Sequence, residues 1–411
     1  MPIVTTTLAN GLMLVVEEIA GVRSAAVSWL VPCGAATDPI DGDGLAAMLG
    51  EMILRGAGGL TSREHSDALD RLGVNRAADV SAHHLRIDAT MTADRLDDAL
   101  PLLASMIIAP ALPADHLDAV RSLCLQSLDG LDDDPQHLAM LRLRERHLAP
   151  PFNRHGHGER AVLERASIDD VRSAWSGRFR PGGSIIGIAG GVNAHRAAAQ
   201  LGDLLANWKG ATTEPKPASA PQRGYLPIVQ QTAQVHIAAG WDAPPEREAH
   251  SMIERLGINV LSGSTSGRLF SEVRQKRSLC YSVGASYRAG KDTGMISLYA
   301  GTTPERAQQT LDVCLEQIES MRHGVRIDEF SRAVVGLKSA QVMQGESTPA
   351  RAAALVYDQF RLGRARTLEE VVAAIDAITI ERLNEHLASR PWGSPTLVTI
   401  GPEALTVEPG R

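Results

Sequence analysis

Aromatic side chains are scarce in this chain: five Phe, five Tyr and five Trp make up 4% of its 411 residues. A core of that composition has to be aliphatic, and an aromatic residue beside charged groups stands out. Cysteine is scarcer still. Cys33, Cys124, Cys280 and Cys314 lie far apart, form no C-x-x-C and sit in apolar surroundings. That excludes a disulfide framework and predicts buried free thiols in a reducing compartment, the cytoplasm. No apolar run approaches the ~18–20 residues of a membrane span, so no transmembrane helix is expected. Positive charge is not in excess: 41 Lys and Arg stand against 48 Asp and Glu, a net charge of −7. This argues against a nucleic-acid partner. The opening MPIVTTTLANGLMLVVEE has no cationic leader before an apolar stretch, and reads as a strand rather than a signal peptide.

What the chain does have is 44% hydrophobic residues and length enough for two or more domains. Residues 210–227, GATTEPKPASAPQRGYLP, are rich in Pro, Ala, Ser and Gly without apolar periodicity. They read as a linker between a first half, 1–209, and a second, 228–411. The halves look related. LRIDATM (85–91) leads through Thr92-Ala93-Asp94-Arg95 into an amphipathic helix, and ISLYAGT (296–302) leads through Thr303-Pro304-Glu305-Arg306 into another, at an offset of 211. Thr at the cap, an acid in the first turn and Pro304 at the first helical position are helix-start chemistry. A matched strand, cap and helix at one offset points to an internal duplication. Several strand-like runs follow one another without a helix, and long helical patterns then cluster. That is an α+β fold: two homologous lobes, each a mainly antiparallel sheet with helices on one face.

Residues Gly44 to Met52 read GLAAMLGEM on a predicted helix, with Arg55-Gly56 at its end. The stretch resembles the insulinase/pitrilysin family of zinc peptidases, including its mitochondrial-processing-peptidase-like bacterial members. Active members carry G-L-A-H-x-L-E-H-M here, an inverted zinc motif with two His ligands on one helix face and a Glu base beside them. The resemblance continues through TTLANGLMLVVEE, Gly34, the Asp-Asp-Asp-Pro of 132–135 and IIGIAGGV (185–192), and so covers nearly the whole chain. It implies that Ala47 and Glu51 stand at the two His positions, Gly50 at the catalytic Glu and Ser127 at the third ligand. A methyl group and a hydrogen cannot bind metal, and one carboxylate with one hydroxyl does not make a catalytic zinc site. Nothing at position 50 can take a proton from a metal-bound water. The chain alone is expected to hold no metal and cleave nothing.

The second half keeps a different element. Residues 261–283, LSGSTSGRLFSEVRQKRSLCYSV, are similar to the family's C-terminal signature, with Arg274 and Tyr281 seven apart as in its Arg/Tyr pair. The resemblance implies that these two side chains bind substrate backbone and the developing oxyanion at a zinc site on an opposing lobe. Guanidinium and phenol are donors suited to that task. Gly263 and Gly267 bracket a small-residue loop, which is either a flexible gate for peptide or an ordinary turn. Phe270, four residues before Arg274, either lines a side-chain pocket or packs in the core. The resemblance further implies that extended substrate adds to a sheet edge near Asn75-Arg76-Ala77-Ala78.

The remaining candidates are weaker. His83 and His84, adjacent on a predicted strand, are expected to face opposite sides. His155-Gly156-His157 is an HxH in a loop and reads as structural. Asp132 to Asp134 precede Pro135 and suit a helix N-terminus.

The implied function is the zinc-less subunit of a heterodimeric, clam-like metallopeptidase. Its partner would be a homologous chain carrying H-x-x-E-H and the zinc, and its substrate an unfolded peptide. The alternative is a non-proteolytic scaffold resembling the core subunits of respiratory complexes.

Overall fold

The computed structural model describes residues 2–407. The chain divides into two compact units. The first comprises Met1–Gly130, Pro150–Ala220 and Gln344–Thr367, the second Leu131–Ala149, Pro221–Met343 and Leu368–Arg411.

The first unit holds strands β1 (Ile3–Thr7), β2 (Met13–Glu18), β3 (Ser24–Val31), β4 (Asn75–Val80), β5 (Leu85–Thr92) and β6 (Ile185–Gly190). They form a sheet, A, in the order β1-β2-β6-β3-β5-β4, antiparallel except between β2 and β6. Its helices are α1 (Leu45–Met52), α2 (Ser62–Arg71), α3 (Leu96–Ile108), α4 (Leu117–Asp129), α6 (Arg160–Arg165), α7 (Ile168–Arg178), α8 (Ala194–Leu204) and α12 (Thr348–Leu362); α5 (Pro135–His147) belongs to the second unit.

The second unit holds β7 (Tyr225–Val229), β8 (Val235–Ala243), β9 (Cys280–Ala289), β10 (Gly294–Thr302) and β11 (Thr396–Gly401), a sheet, B, in the order β7-β11-β8-β10-β9. Besides α5 its helices are α9 (Ser251–Ser262), α10 (Ala307–Ser320), α11 (Ile327–Gly345) up to its last two residues, α13 (Leu368–Asp376) and α14 (Ile380–Ser389).

Each unit is thus a mainly antiparallel sheet with helices on it, as the sequence indicates, the parallel pairs being β2 with β6 and β7 with β11. The expectation of one covered face needs correction. Sheet A packs most of its helices against one face, where Leu14, Val27, Trp29, Leu85 and Ile87 are buried. Its other face, with Val15, Ala26, Leu30, Ile185 and Ala189, is closed by Ala352, Leu355 and Val356 of α12. Sheet B has the same device: α5 lays Ala139 and Leu143 on Ala238, Met295, Val398 and Ile400. Each sheet therefore borrows a helix from the opposite half of the sequence. Burying each Leu or Val side chain contributes about 1.5–3 kcal/mol, so these helices are part of the core.

The repeated strand, cap and helix is present: β5, a 3₁₀ turn at Ala93–Arg95 and α3, then β10, a turn at Pro304–Arg306 and α10. β5 alternates buried and half-buried residues, the period-2 signature of a strand. The last residues of the Pro-rich stretch, 225–227, enter β7, where edge position tolerates Pro227.

Candidate functional site

The helix that carries the zinc-motif positions is firmly built. Ala, Leu and Met favour helix, and Gly44 opens it at φ +126, which a side chain would strain. The carboxylate of buried Asp38 accepts hydrogen bonds from the N–H groups of Gly44 (3.0 Å) and Ala46 (3.1 Å), and is itself paired to Arg178. Acid at a helix N-terminus is favourable.

The motif positions themselves cannot ligate. Ala47 is half-buried against the apolar core of the first unit. Gly50 is buried, and a Cβ there would stand 3.2 Å from Cγ2 of Val80 on β4. A side chain there would have to push this valine aside by a few tenths of an ångström. Glu51 is half-buried, with no ion pair or side-chain hydrogen bond among the described residues. It faces α4, because its charge adds to burial in pushing the Cys124 thiol up to about 12. Ser127 is exposed on α4, three residues beyond Cys124. Helices α1 and α4 thus meet as a two-helix metal site requires, but with donors of the wrong kind and number. Among the described residues no group of three or more His, Cys, Asp or Glu is placed to hold a metal ion. The residues at these positions do not fit a zinc ion. Sequence reading treated Cys124 only as a buried thiol, and nothing in its spacing marked it as Glu51's neighbour.

In the second unit, α9 ends at Gly263, where a Cβ would fall 2.3 Å from Asn259 Oδ1. Ser264 and Ser266 hydrogen-bond side chain to side chain at 2.8 Å, and the Gly267 N–H donates to Ser264 O at 2.9 Å. The loop is a hydrogen-bonded turn with Ser264, Thr265 and Ser266 exposed. A π-helical turn, Phe270–Gln275, follows, anchored by fully buried Leu269 and Val273. Such turns are frequent at functional sites.

This turn presents Arg274. Its guanidinium lies 5.0 Å from the centroid of the half-buried Phe270 ring, a cation–π contact. Phe270 is therefore a platform for the arginine. The nearest acid in sequence, Glu272, is engaged by Lys276 (2.6 Å) and Arg277 (2.8 Å). Arg274 stays exposed, with no carboxylate partner among the described residues.

Tyr281 is turned outward by the sheet. Ser282 pairs with Gly301 and Cys280 with Thr302, so Tyr281 is the extra residue of a β-bulge on edge strand β9. Bulges re-aim side chains. Tyr281 is 65% exposed, and no hydrogen bond from the described residues engages its hydroxyl. No sequence signal marks the bulge.

β4, the expected edge, is an edge strand of sheet A, with Asn75, Ala77 and Asp79 exposed. A pocket of about 630 Å³ opens beside its start, lined by Leu54, Asp70, Gly73, Val74, Asn75 and Arg76. His83 and His84 do not face opposite ways on a strand. They lie between β4 and β5, and both rings meet Phe360, at 5.2 and 4.5 Å. His157 donates its N–H to His155 Nδ1 at 3.1 Å. Asp134 caps α5 by accepting from the His137 N–H at 3.0 Å. All four cysteines are free and buried. Among the described residues no helix is long and apolar enough to cross a membrane.

A two-unit α+β chain that retains a metallopeptidase's motif helix without its donors belongs with the zinc-peptidase homologues. Comparison with known proteins agrees. A family described as Insulinase (Peptidase family M16) matches residues 13–155, and one described as Peptidase M16 inactive domain matches residues 165–337. The chain belongs to the insulinase, or M16, peptidase family. An uncharacterized zinc protease of Mycobacterium tuberculosis is 26% identical over 410 residues, covering 95% of this chain and 92% of that one. The uncharacterized zinc protease YmxG of Bacillus subtilis is 24% identical over 389 residues, covering 92% of this chain and 93% of that one. The fold matches a peptidase M16 inactive domain from Pseudomonas fluorescens with a TM-score of 0.89 at 18% identity, covering 99% of this chain and 100% of that one. It also matches a chain of Complex III2 from Candida albicans with a TM-score of 0.82 at 16% identity, covering 97% and 96%.

Proposed function

We propose that this chain is the zinc-less subunit of a heterodimeric peptidase. In this reading Arg274 and Tyr281 bind peptide and stabilise the transition state at a zinc held by a homologous partner with an H-x-x-E-H motif. The observation that carries the reading is the contrast between two sets of side chains. Four zinc-motif positions hold Ala47, Gly50, Glu51 and Ser127. Meanwhile two strong donors, Arg274 and Tyr281, stand exposed and unengaged, one steadied on Phe270 and the other lifted by a bulge. Donors fixed in advance and left open are what a developing oxyanion needs. A half-exposed catalytic zinc site, by contrast, would need ligands this chain does not have. Gly263 and Gly267 border the entry to this element, and buried free thiols support a reducing compartment such as the cytoplasm.

The test is to purify the chain alone and with a zinc-bearing homologue, measuring bound zinc and cleavage of unstructured peptides. The lone chain should bind no stoichiometric zinc and be inactive, and the pair should cleave. Arg274→Ala or Tyr281→Phe should lower kcat of the pair by about 10- to 100-fold, the scale of losing one oxyanion donor. Zinc at one equivalent on the lone chain, or an unchanged rate in both variants, would overturn the assignment. The competing reading is a scaffold like the core subunits of respiratory complexes. Stable capture in a larger assembly, with no activity beside any zinc-bearing homologue, would favour it.

A further inference from the structure

Between Arg274 and Tyr281 the backbone turns through Ser278 at φ +52. With Leu112, Ser278 is one of two non-glycine residues at positive φ among the described residues. That region crowds Cβ against the backbone, so a residue other than glycine stays there only if its surroundings hold it. Two backbone bonds close the turn, from the Ser278 N–H to Arg274 O and from the Leu279 N–H to Val273 O, each 3.0 Å. The carbonyls of the turn are held by side chains. Arg306 Nη1 donates to Ser278 O at 2.6 Å, and Thr302 Oγ1 donates to Leu279 O at 2.5 Å. Thr310 Oγ1 lies 3.2 Å from Thr302 Oγ1 and donates to Arg306 O at 2.9 Å. Thr302 and Thr310 are fully buried, and Arg306 is exposed.

These three residues come from one short stretch, the end of β10 and the start of α10. Thr302 serves twice. It pairs with Cys280 where the register shifts and Tyr281 bulges out, and its hydroxyl holds the carbonyl two residues before Tyr281. The repeated cap is put to this use in the second unit. Arg95, its counterpart to Arg306 at the offset of 211, pairs instead with the neighbouring Asp94 at 3.5 Å. A guanidinium on a carbonyl is a charge-assisted bond, stronger than a neutral one. Donors serve a developing oxyanion only when they are in place before the reaction. We propose that Arg306 and Thr302 are positioning residues for Arg274 and Tyr281. By holding Ser278 O and Leu279 O they keep Ser278 left-handed and fix the two donors in one relation to each other. The inference rests on the function proposed above and adds to it the residues that set its geometry.

The test has two arms. The first uses the full chain alone and follows amide hydrogen exchange of residues 274–281 by mass spectrometry. Arg306→Ala and Thr302→Val should each speed that exchange by about tenfold, with β5 in the other unit unchanged. Arg306→Lys should keep part of the protection. Ser278→Gly in the Arg306→Ala chain should restore part of it, because glycine adopts positive φ without being held. The exposed position of Arg306 keeps its variants foldable. The second arm uses the chain paired with a zinc-bearing homologue. Arg306→Ala should lower kcat about tenfold with KM nearly unchanged, and Arg306→Lys should recover part of the loss. In a Tyr281→Phe or Arg274→Ala background the same substitution should have a much smaller effect, since it acts through those two side chains. Unchanged exchange in both Arg306→Ala and Thr302→Val would overturn this inference whatever the pair does. A kcat loss equally large in both backgrounds would make Arg306 merely structural and overturn it too. A wild-type pair that cleaves nothing while the exchange results hold would instead sink the function proposed above and leave the clamp on the turn established.

Discussion

Val80 Cγ2 lies 3.2 Å from the point where a Cβ on Gly50 would stand. A valine on β4 thus crowds the first side-chain atom that a Glu at this position of α1 would carry. Restoring the lost motif should therefore fail on steric grounds before it fails on chemistry. Gly50→Ala should be nearly neutral, because the helix gain of about 1 kcal/mol offsets the crowding. Gly50→Glu should cost about 1–3 kcal/mol by overpacking. Val80→Ala in the same chain should recover much of that cost. The quadruple change Ala47→His, Gly50→Glu, Glu51→His, Ser127→Glu should still lack one equivalent of zinc while Val80 is present. Urea denaturation and metal analysis of the purified variants check both statements.

Among the described residues, Arg274 and Tyr281 make no hydrogen bond or ion pair with their side chains. Substituting them should leave stability within about 0.5 kcal/mol, as for surface positions without a special role. Phe270→Ala should behave differently. It removes the ring 5.0 Å beneath the guanidinium. We expect it to weaken activity of a zinc-bearing pair less than Arg274→Ala does, because the charge remains while its position loosens. Matching denaturation curves to kinetics of the reconstituted pair separates the two effects. A large stability loss in Arg274→Ala would mean that the residue is structural.

Much of this was legible in the sequence because it is local. The cap Thr92-Ala93-Asp94-Arg95, its counterpart Thr303-Pro304-Glu305-Arg306 and the alternation of β5 each depend on a few neighbouring residues. The motif positions that the resemblance assigns to α1 likewise rest on one contiguous stretch. What stayed hidden is non-local or geometric. Glu17 and Arg351 are 334 residues apart in sequence, so nothing in either segment announced that α12 closes sheet A. The bulge at Tyr281 depends on register with β10, and Val80 entered the story only through its contact with Gly50. The short edge strands β1, β4 and β7 contain no fully buried residue, so no apolar run marked them.

Arg351 Nε reaches Glu17 Oε2 at 2.7 Å, with both side chains under 10% exposed, at 9% and 6%. Breaking a buried pair by truncating one member costs about 3–5 kcal/mol, because the survivor stays buried without its counterion. Glu17→Ala and Arg351→Ala should each fall in that range by urea denaturation, whereas Glu17→Met with Arg351→Leu should lose much less. The same contact predicts the fate of a chain cut after residue 209. Without α12, the face with Val15, Ala26, Leu30, Ile185 and Ala189 is left open to water. Such a fragment should be insoluble or bind a hydrophobic dye, and co-expression of residues 344–367 should restore a folded form.

Three buried histidines set the response to acid. Burial is the first cause holding His65, His147 and His236 below the ordinary imidazole value. For His147 the charge of Arg223 adds to it and Asp242, 3.4 Å away, opposes it. Its Nδ1 is held by Thr396 Oγ1 at 2.9 Å. A histidine kept neutral in the fold takes up its proton more readily when unfolded. Its contribution is thus intact above an unfolded pKa of about 6.5 and falls as pH drops below it, by up to about 1.4 kcal/mol per pH unit for each proton. The unfolding midpoint should therefore decline between pH 7 and pH 5. Carboxylates held low, such as Asp170 and Glu64, act only in a more acidic window, below about pH 4.5. His147→Gln should flatten the slope between pH 7 and pH 5 by roughly one proton's share. Denaturation series at matched ionic strength check this, and an identical slope in the variant would show that His147 titrates alike in the folded and unfolded chain.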